Sequence, residues 1–288
     1  MKPKYLPLLL LPFILFYSHL CYSQTFIMQK HPDNEVTTGL RYLRPRYGVD
    51  YPANLSTLAG DYEVYLNFPL SERINVLTSL PLTIKTSNGK EVESGPGNLY
   101  LGLEMRSESV SSLRSTFSFG VFLPTTSERI TRATFIGLFA NLYEPQKSLP
   151  NTLTLYANYG LQKFQSGKLF WGLELGPQLF IPTAGNGQTV ELFSHYGLSG
   201  GFHSKKFAVW GELLGLVSIT SDFLNFGQRV NHSFLLGGQL ITKKFKPGVF
   251  LQVPIDGEPA NVVDFIFGLK MEAVLVKQQV QNHDSRHK

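Results

Sequence analysis

The clearest pattern in the chain is an alternation of apolar with polar or small residues across two neighbouring segments, 152–162 and 169–181. Apolar side chains recur at alternate positions, namely Leu153, Leu155, Ala157, Tyr159 and Leu161 in the first segment, and Trp171, Leu173, Leu175, Leu179 and Ile181 in the second. A period of two predicts strands with one apolar face. Each arm is about ten residues or longer, and aromatic residues stand beside the short polar turn 165–168. These features favour a transmembrane β-hairpin over a soluble one.

The same alternation recurs along the rest of the chain. It predicts further strands at 35–42, 61–68, 74–84, 98–106, 115–123, 190–202, 207–219, 233–242, 248–255 and 262–273. Short turns alternate with long polar connections between them, and the segment 86–97 is one of the long loops. Outer-membrane barrels place short turns in the periplasm and long loops outside the cell. The sequence therefore predicts an all-β fold, a transmembrane antiparallel up-and-down β-barrel of about twelve strands.

One apolar stretch, 133–142, does not fit this rhythm. If it crossed the membrane, the short turns at 70–73 and 165–168 would lie on opposite sides, although both have the character of periplasmic turns. We therefore predict that 124–151 forms one outside loop, able to fold inward as a short helix or hairpin. The even number of strands that results places both termini in the periplasm.

The N-terminal segment Met1–Ser23 has the features of an export signal. Lys2 and Lys4 give it a positive end, an apolar run follows, and small residues precede the predicted cleavage site before Gln24. A membrane anchor is disfavoured because the run is short for a spanning helix. A lipoprotein signal is disfavoured because Leu20 is too large for the position before Cys21. The predicted organisation is a signal at 1–23, a barrel at 24–276 and a polar tail at 277–288.

Cleavage at this site changes two conclusions from composition. It removes the single cysteine, so the mature chain would have no disulfide and no thiol chemistry. It also removes two lysines and no acid, which lowers the formal net charge from +5 to +3. A small basic excess without runs of charge argues against a nucleic-acid partner. No apolar run is long enough for a membrane helix. The expected partner is therefore the lipid of the outer membrane, which the apolar faces of the strands would contact.

Seven charged residues fall on the polar phase of predicted strands and are too costly to face lipid. We predict that they point into the lumen of the barrel: Glu63, Glu104, Arg106, Glu174, Glu212, Asp264 and Lys270. Two interpretations stay open for this set. The residues could line a pore and select solutes by charge, or they could pair in a network that seals the barrel.

Candidates for catalysis are weak. Ser194 stands beside His195, and His232 stands beside Ser233, but neighbours on a strand point to opposite faces and cannot act as nucleophile and base in direct contact. His195 shares a strand face with Glu191 and Ser199, and this is the one remaining arrangement in which a histidine could act with a serine. No spacing of metal ligands occurs, and Gly185-Asn186-Gly187 lacks the strand-to-helix context of a phosphate loop. We expect no enzyme activity, cofactor or metal.

Two segments, GPGNLYLGLEMR at 95–106 and FSFGVFLPT at 117–125, resemble motifs of the outer-membrane barrel proteins associated with phenol and meta-pathway degradation. Asn98 stands where those motifs have Asp, and Thr126 stands where they have Gly. The resemblance implies an outer-membrane location and a channel for small, often hydrophobic, molecules.

The resulting prediction is an outer-membrane barrel that admits small solutes. Two alternatives remain. One is a sealed structural or surface barrel, and the other is a secreted soluble β-barrel that binds an apolar ligand. The second is disfavoured because polar strand faces such as those of 117–123 and 169–176 are made mostly of Gly and Ser, with Glu174 as their only charged residue. The polar end of the chain, without a final aromatic residue, does not fit a typical outer-membrane barrel.

Overall fold

The structure is a computed structural model of the chain. It describes residues 34–45, 59–71, 73–87, 90–108, 113–126, 137–138, 141, 143–163, 168–184, 189–220, 229–242 and 245–276. The predicted signal at 1–23 and the predicted tail at 277–288 lie outside the described residues, so both assignments stay predictions. The same holds for most of the apolar stretch 133–142.

The described part of the chain forms thirteen strands. They are β1 (Asn34–Pro45), β2 (Ala59–Pro69), β3 (Ile74–Ser87), β4 (Lys90–Pro96), β5 (Leu99–Glu108), β6 (Leu113–Leu123), β7 (Thr152–Lys163), β8 (Lys168–Pro182), β9 (Glu191–His203), β10 (Phe207–Ser218), β11 (Val230–Leu240), β12 (Phe245–Pro254) and β13 (Val263–Val276). A 3₁₀ helix spans Pro145–Lys147, and helix α1 spans Gly257–Val262. The predicted strands are confirmed, with ends that shift by up to three residues.

All strands except β4 pair in a ring. Each neighbouring pair is antiparallel, and all pairs are consecutive in the chain except β3 with β5 and the closing pair of β1 with β13. β1 pairs with β2 on one edge and with β13 on the other, and β2 pairs in turn with β3. Every one of these twelve strands therefore has a hydrogen-bonded neighbour on both edges, as a membrane barrel requires.

The prediction of a loop over 86–97 is wrong. β3 continues to Ser87, and β4 pairs with its outer half from Ser87↔Lys90 to Leu82↔Pro96. The residues between these strands in the sequence are Asn88 and Gly89, a dipeptide that favours two-residue hairpin turns. This hairpin was not predicted because its sequence is polar. A strand outside the lipid needs no apolar face, so it shows no alternation of apolar and polar residues.

The two faces of the barrel wall differ sharply. On β8 the apolar Leu173 is 43% exposed, whereas its neighbour Glu174 is 2% exposed. The outward face presents large apolar side chains on most strands, including Val64, Leu101, Phe117, Phe119, Leu155, Leu175, Leu198, Val209, Leu236, Val249, Leu251, Phe267, Leu269 and Met271. A soluble protein rarely exposes so much contiguous apolar surface. The arrangement is that of a barrel surrounded by lipid, with the polar residues inside.

Among the described residues, the helices are all too short and too polar to traverse a bilayer.

Candidate functional site in the barrel lumen

Five of the seven charged residues predicted to face the lumen are almost completely buried. Glu63, Glu104, Glu174, Glu212 and Lys270 are each exposed by 5% or less. Arg106 is partly exposed and forms a salt bridge with Glu104, with 2.7 Å between Nε and Oε1. Asp264 differs, because it is the second residue of β13, beside a register shift opposite Arg44 and Pro45, and its side chain is exposed. It does not occupy the mid-strand position that the alternation predicted.

Residues 143–150, here called the inner segment, lie inside the barrel. Gln146, Lys147 and Ser148 are each exposed by 1% or less, although they belong to the connection between β6 and β7. Asn98 anchors the segment: its side-chain Nδ2 donates to the carbonyl oxygens of Gln146 at 2.9 Å and Leu149 at 2.7 Å. Its backbone N–H donates to the carbonyl of Lys147 at 2.8 Å. One residue at the start of β5 thus fixes three carbonyls of the segment.

The residues after β6 also form hydrogen bonds with Asn98 and its neighbours. The Thr126 backbone N–H donates to Asn98 Oδ1 at 3.1 Å. The Thr125 hydroxyl donates to the Gly97 carbonyl at 2.5 Å and accepts from the Leu99 N–H at 3.0 Å. Asn98 and Thr126 are the two positions at which the sequence departs from the motifs it resembles. Their contact in the fold could not be predicted from the motifs.

Lys147 ties the inner segment to the wall. Its Nζ lies 2.8 Å from Glu63 Oε2 on β2 and 2.6 Å from Glu144 Oε2 in the segment itself. The Lys147 side chain is 1% exposed and the Glu63 side chain 2% exposed. A buried ammonium needs such carboxylate partners, since removing only one side of the pair leaves an uncompensated charge.

Tyr143 connects the inner segment to the other side of the lumen. Its hydroxyl donates to Glu174 Oε1 on β8 at 3.2 Å, and its ring packs against Leu214 on β10. Burial and the adjacent Glu174 charge raise the pKa of the Tyr143 hydroxyl, which keeps it a proton donor. β2 and β8 stand five places apart in the ring of twelve strands, so the inner segment bridges nearly opposite walls.

His195 lies in a network of neutral groups beneath the inner segment. Its ring stacks on Tyr156 with 5.0 Å between centroids. Gln178 Nε2 lies 3.0 Å from its Nδ1, and Asn158 Oδ1 lies 2.9 Å from its Nε2. This pattern fits the tautomer in which Nδ1 accepts and Nε2 donates. Asn158 also donates to Glu174 Oε2 at 3.4 Å, so the histidine stabilises the wall beside Tyr143.

A row of aromatic rings and glycines crosses the inward wall from β8 to β13. Register places Phe170 beside Gly201, Trp210 between Gly201 and Gly237, and Phe250 between Gly237 and Gly268. We call these six residues the aromatic row. A Cβ on Gly237 would lie 2.4 Å from the Trp210 ring, and one on Gly268 would lie 1.7 Å from Phe250. The rings therefore lie flat on the wall over the glycines.

A charged cluster lies next to the aromatic row, toward the short-turn end. Glu272 is bound by Lys270 and lies 3.5 Å from Lys246, and all three side chains are buried. The Gln239 amide donates to the Lys246 carbonyl at 3.0 Å. Acids and bases in this cluster pair with one another rather than forming a ring of one sign.

The histidines are not arranged for hydrolysis with the predicted serines. The Ser194 hydroxyl contacts the Gly176 carbonyl at 3.4 Å, on the face opposite to His195. Asp256 Oδ2 lies 2.6 Å from His232 Nδ1, and His232 Nε2 contacts the Tyr196 hydroxyl. His232 and Tyr196 lie on the outward phase of β11 and β9, where Tyr196 covers Gly215. In the described part of the chain, no group of three His, Cys, Asp or Glu residues could hold a metal ion.

Comparisons with known proteins concern the fold alone. No protein-family model and no curated protein matches the sequence. An outer-membrane channel from Pseudomonas putida F1 superposes with a TM-score of 0.57 at 11% identity, over 87% of this chain and 98% of that one. The NanC porin superposes with a TM-score of 0.53 at 8% identity, over 83% of this chain and 98% of that one. At these identities the likeness concerns the fold, which is that of an outer-membrane β-barrel. Membership of the phenol and meta-pathway family stays a prediction.

Proposed function

We propose that this protein is a non-enzymatic outer-membrane channel for small solutes, constricted by the inner segment. The observation that carries the proposal is the bridge from Lys147 at Glu63 to Tyr143 at Glu174, which narrows the lumen near mid-height. The proposal is supported by the fold, which resembles that of an outer-membrane channel and a porin. Both wall contacts are side-chain contacts, so they can break without disturbing the strand ladder.

The charged residues of the lumen act in this proposal as the selective lining. Glu63 and Glu174 stand at the constriction itself, while Glu104 and Arg106 pair on β5. Glu212 and Lys270 stand further toward the short-turn end, and Asp264 lies outside the constriction. The negative groups favour cations and uncharged solutes over anions.

Conductance in planar bilayers tests the channel. The double variant Lys147→Met with Glu63→Gln removes both charges of the Lys147–Glu63 pair, so no buried charge is stranded on β2. Glu144, the other partner of Lys147, keeps its charge on the inner segment, which disfavours return of the segment to its buried position. We expect it to conduct several-fold more than the parent while keeping a heat-shifted band on a detergent gel. Lys205→Met is the matched control, since Lys205 is exposed in the β9–β10 turn, and it should conduct like the parent.

A sealed barrel gives a different result. If parent and double variant both fail to conduct, while both keep the heat-shifted band, the channel proposal is refuted. The protein would then be a structural or surface barrel with a filled lumen. A double variant that conducts no more than a conducting parent would refute the role of the inner segment alone.

A further inference from the structure

Glu212 is a buried acid on the inward face of β10. It is 1% exposed, and neither of its carboxylate oxygens accepts a hydrogen bond. The indole of Trp210 lies near it, but the two do not meet the geometry of a hydrogen bond. Lys270 attracts it electrostatically, yet the Lys270 ammonium is bound to Glu272. A carboxylate left in this state is costly unless it takes up a proton or another group supplies donors and a positive charge.

The surroundings of Glu212 on the inward wall are apolar on two sides and polar on one. Trp210 lies two residues earlier on β10, so both side chains share the inward face. Leu235 is directly opposite on β11, and Ser199 is directly opposite on β9. The Ser199 hydroxyl also makes no hydrogen bond. Glu212 and Ser199 are therefore two adjacent polar groups on the inward wall that make no hydrogen bond.

We propose that this wall binds a small organic ammonium ion with an apolar body, such as a primary aromatic amine. The ammonium group would donate to Glu212 and Ser199, and the apolar body would lie along the aromatic row beside Trp210. An ammonium has three donors and a positive charge, so it satisfies both the geometry and the charge of the carboxylate. The face of an indole ring attracts cations as well.

The glycines of the aromatic row let its rings lie close to the wall. The rings of Trp210 and Phe250 lie flat over Gly237 and Gly268 rather than projecting across the lumen. Both rings are only 2% exposed, so a ligand reaches them by displacing the side chains that cover them. A flat aromatic wall beside one carboxylate suits a ligand that is apolar on one side and cationic at one end. This assignment rests on the proposed channel only in that the solute reaches the site through the lumen.

Tryptophan emission can report binding directly. The chain has two tryptophans, Trp171 and Trp210, and Trp171 lies on the outward face at 44% exposure. The Trp171→Phe variant, folded in detergent micelles, therefore leaves Trp210 as the sole reporter. Titration with benzylammonium should give a saturable change in emission. Benzyl alcohol, which has the same ring without the charge, should bind at least tenfold more weakly, and benzoate should not bind.

Two carboxylate variants in this background locate the site. Glu212→Gln should weaken benzylammonium binding at least tenfold and remove the preference over benzyl alcohol. Glu104→Gln removes the same charge elsewhere in the lumen and should leave the affinity within twofold of the parent. Should Glu212→Gln fail to fold, the comparison of the three ligands in the parent still decides, since it needs no change at Glu212.

Several outcomes would overturn the assignment. Equal binding of benzylammonium and benzyl alcohol would show that charge plays no part. Preferred binding of benzoate would assign the wall to the lysine cluster at Lys246 and Lys270 instead. Equal loss in Glu104→Gln and Glu212→Gln would indicate a diffuse lumen field. Conductance separates the two proposals: saturable binding without conductance refutes the channel only, and conductance without binding refutes the site only.

Discussion

Asn98 shows how a single buried amide can position a whole connection. Its Nδ2 donates to two carbonyls of the inner segment and its Oδ1 accepts from Thr126. A carboxylate at this position could keep the contact with Thr126 but would face the carbonyls of Gln146 and Leu149 without donors. The amide therefore suits an inner segment that is held in place, whereas an acid would repel it.

Asn98→Asp should loosen the inner segment for this reason. We expect a loss of about 1–3 kcal/mol in the free energy of unfolding, the cost of unsatisfied buried polar groups. Conductance should rise at the same time, because the segment leaves the lumen. Urea unfolding in lipid vesicles and planar-bilayer recording measure the two effects. Asn261→Asp in helix α1, where Asn261 is exposed, makes the same chemical change and should alter neither.

Neighbouring residues on β8 test the assignment of the two faces of the wall. Leu173 faces lipid, so Leu173→Arg should lower the free energy of unfolding by about 2–4 kcal/mol if it lies near the bilayer midplane. Glu174 faces inward, where Glu174→Gln keeps an oxygen acceptor for the Tyr143 hydroxyl and should stay folded. Urea midpoints in lipid vesicles compare the two. Equal tolerance at both positions would mean that the inward and outward phases of β8 are assigned wrongly.

At the scale of strands, the aromatic row is held flat by the glycines between the rings. Gly237→Ala would place a Cβ 2.4 Å from the Trp210 ring, so the ring must tilt into the lumen. We expect a loss of about 1–3 kcal/mol, the usual cost of overpacking, and a changed Trp210 emission in the Trp171→Phe background. Gly238→Ala is the adjacent control, since the nearest atom to its Cβ would be 3.8 Å away. Unchanged emission in Gly237→Ala would contradict the close contact.

Strands with one apolar face were predictable from sequence, because lipid imposes a period of two on them. β8 and β12 illustrate this, since most of their successive residues are alternately exposed and buried. β4 escaped prediction because it pairs with the outer half of β3, where no lipid requires an apolar face. Asp264 was misplaced because the register shift opposite Arg44 and Pro45 breaks the regular alternation near the start of β13.

The inner segment was predictable only in outline. The parity of short and long connections indicated that 124–151 does not span the membrane, and that it could fold inward. Its contacts could not be derived, because the partners of Lys147 and Tyr143 are distant in sequence and follow no period. The pairing of Lys147 with Glu63, 84 residues apart, depends on the completed ring of strands.

At the scale of the whole molecule, the ring of twelve strands fixes which ends of the barrel share a side of the membrane. Each strand reverses the direction of the one before it, so connections alternate between the two ends. The short connections after β2, β5, β7, β9 and β11 then all lie at one end. The β3–β4 hairpin and the inner segment lie at the other end, or enter the lumen from it.

Epitope tags distinguish these two ends in intact cells. Tags inserted at Gly89 or Asn186 should be labelled from outside. In the predicted orientation these positions follow β3 and β8, which both run from the periplasm toward the outside of the cell. Tags at Gly167 or after Lys277 should be labelled only after the outer membrane is permeabilised. Each insertion falls between two described strands or after the last one, so it interrupts no described strand. Labelling at Gly167 in intact cells would mean that the barrel has the opposite orientation in the membrane.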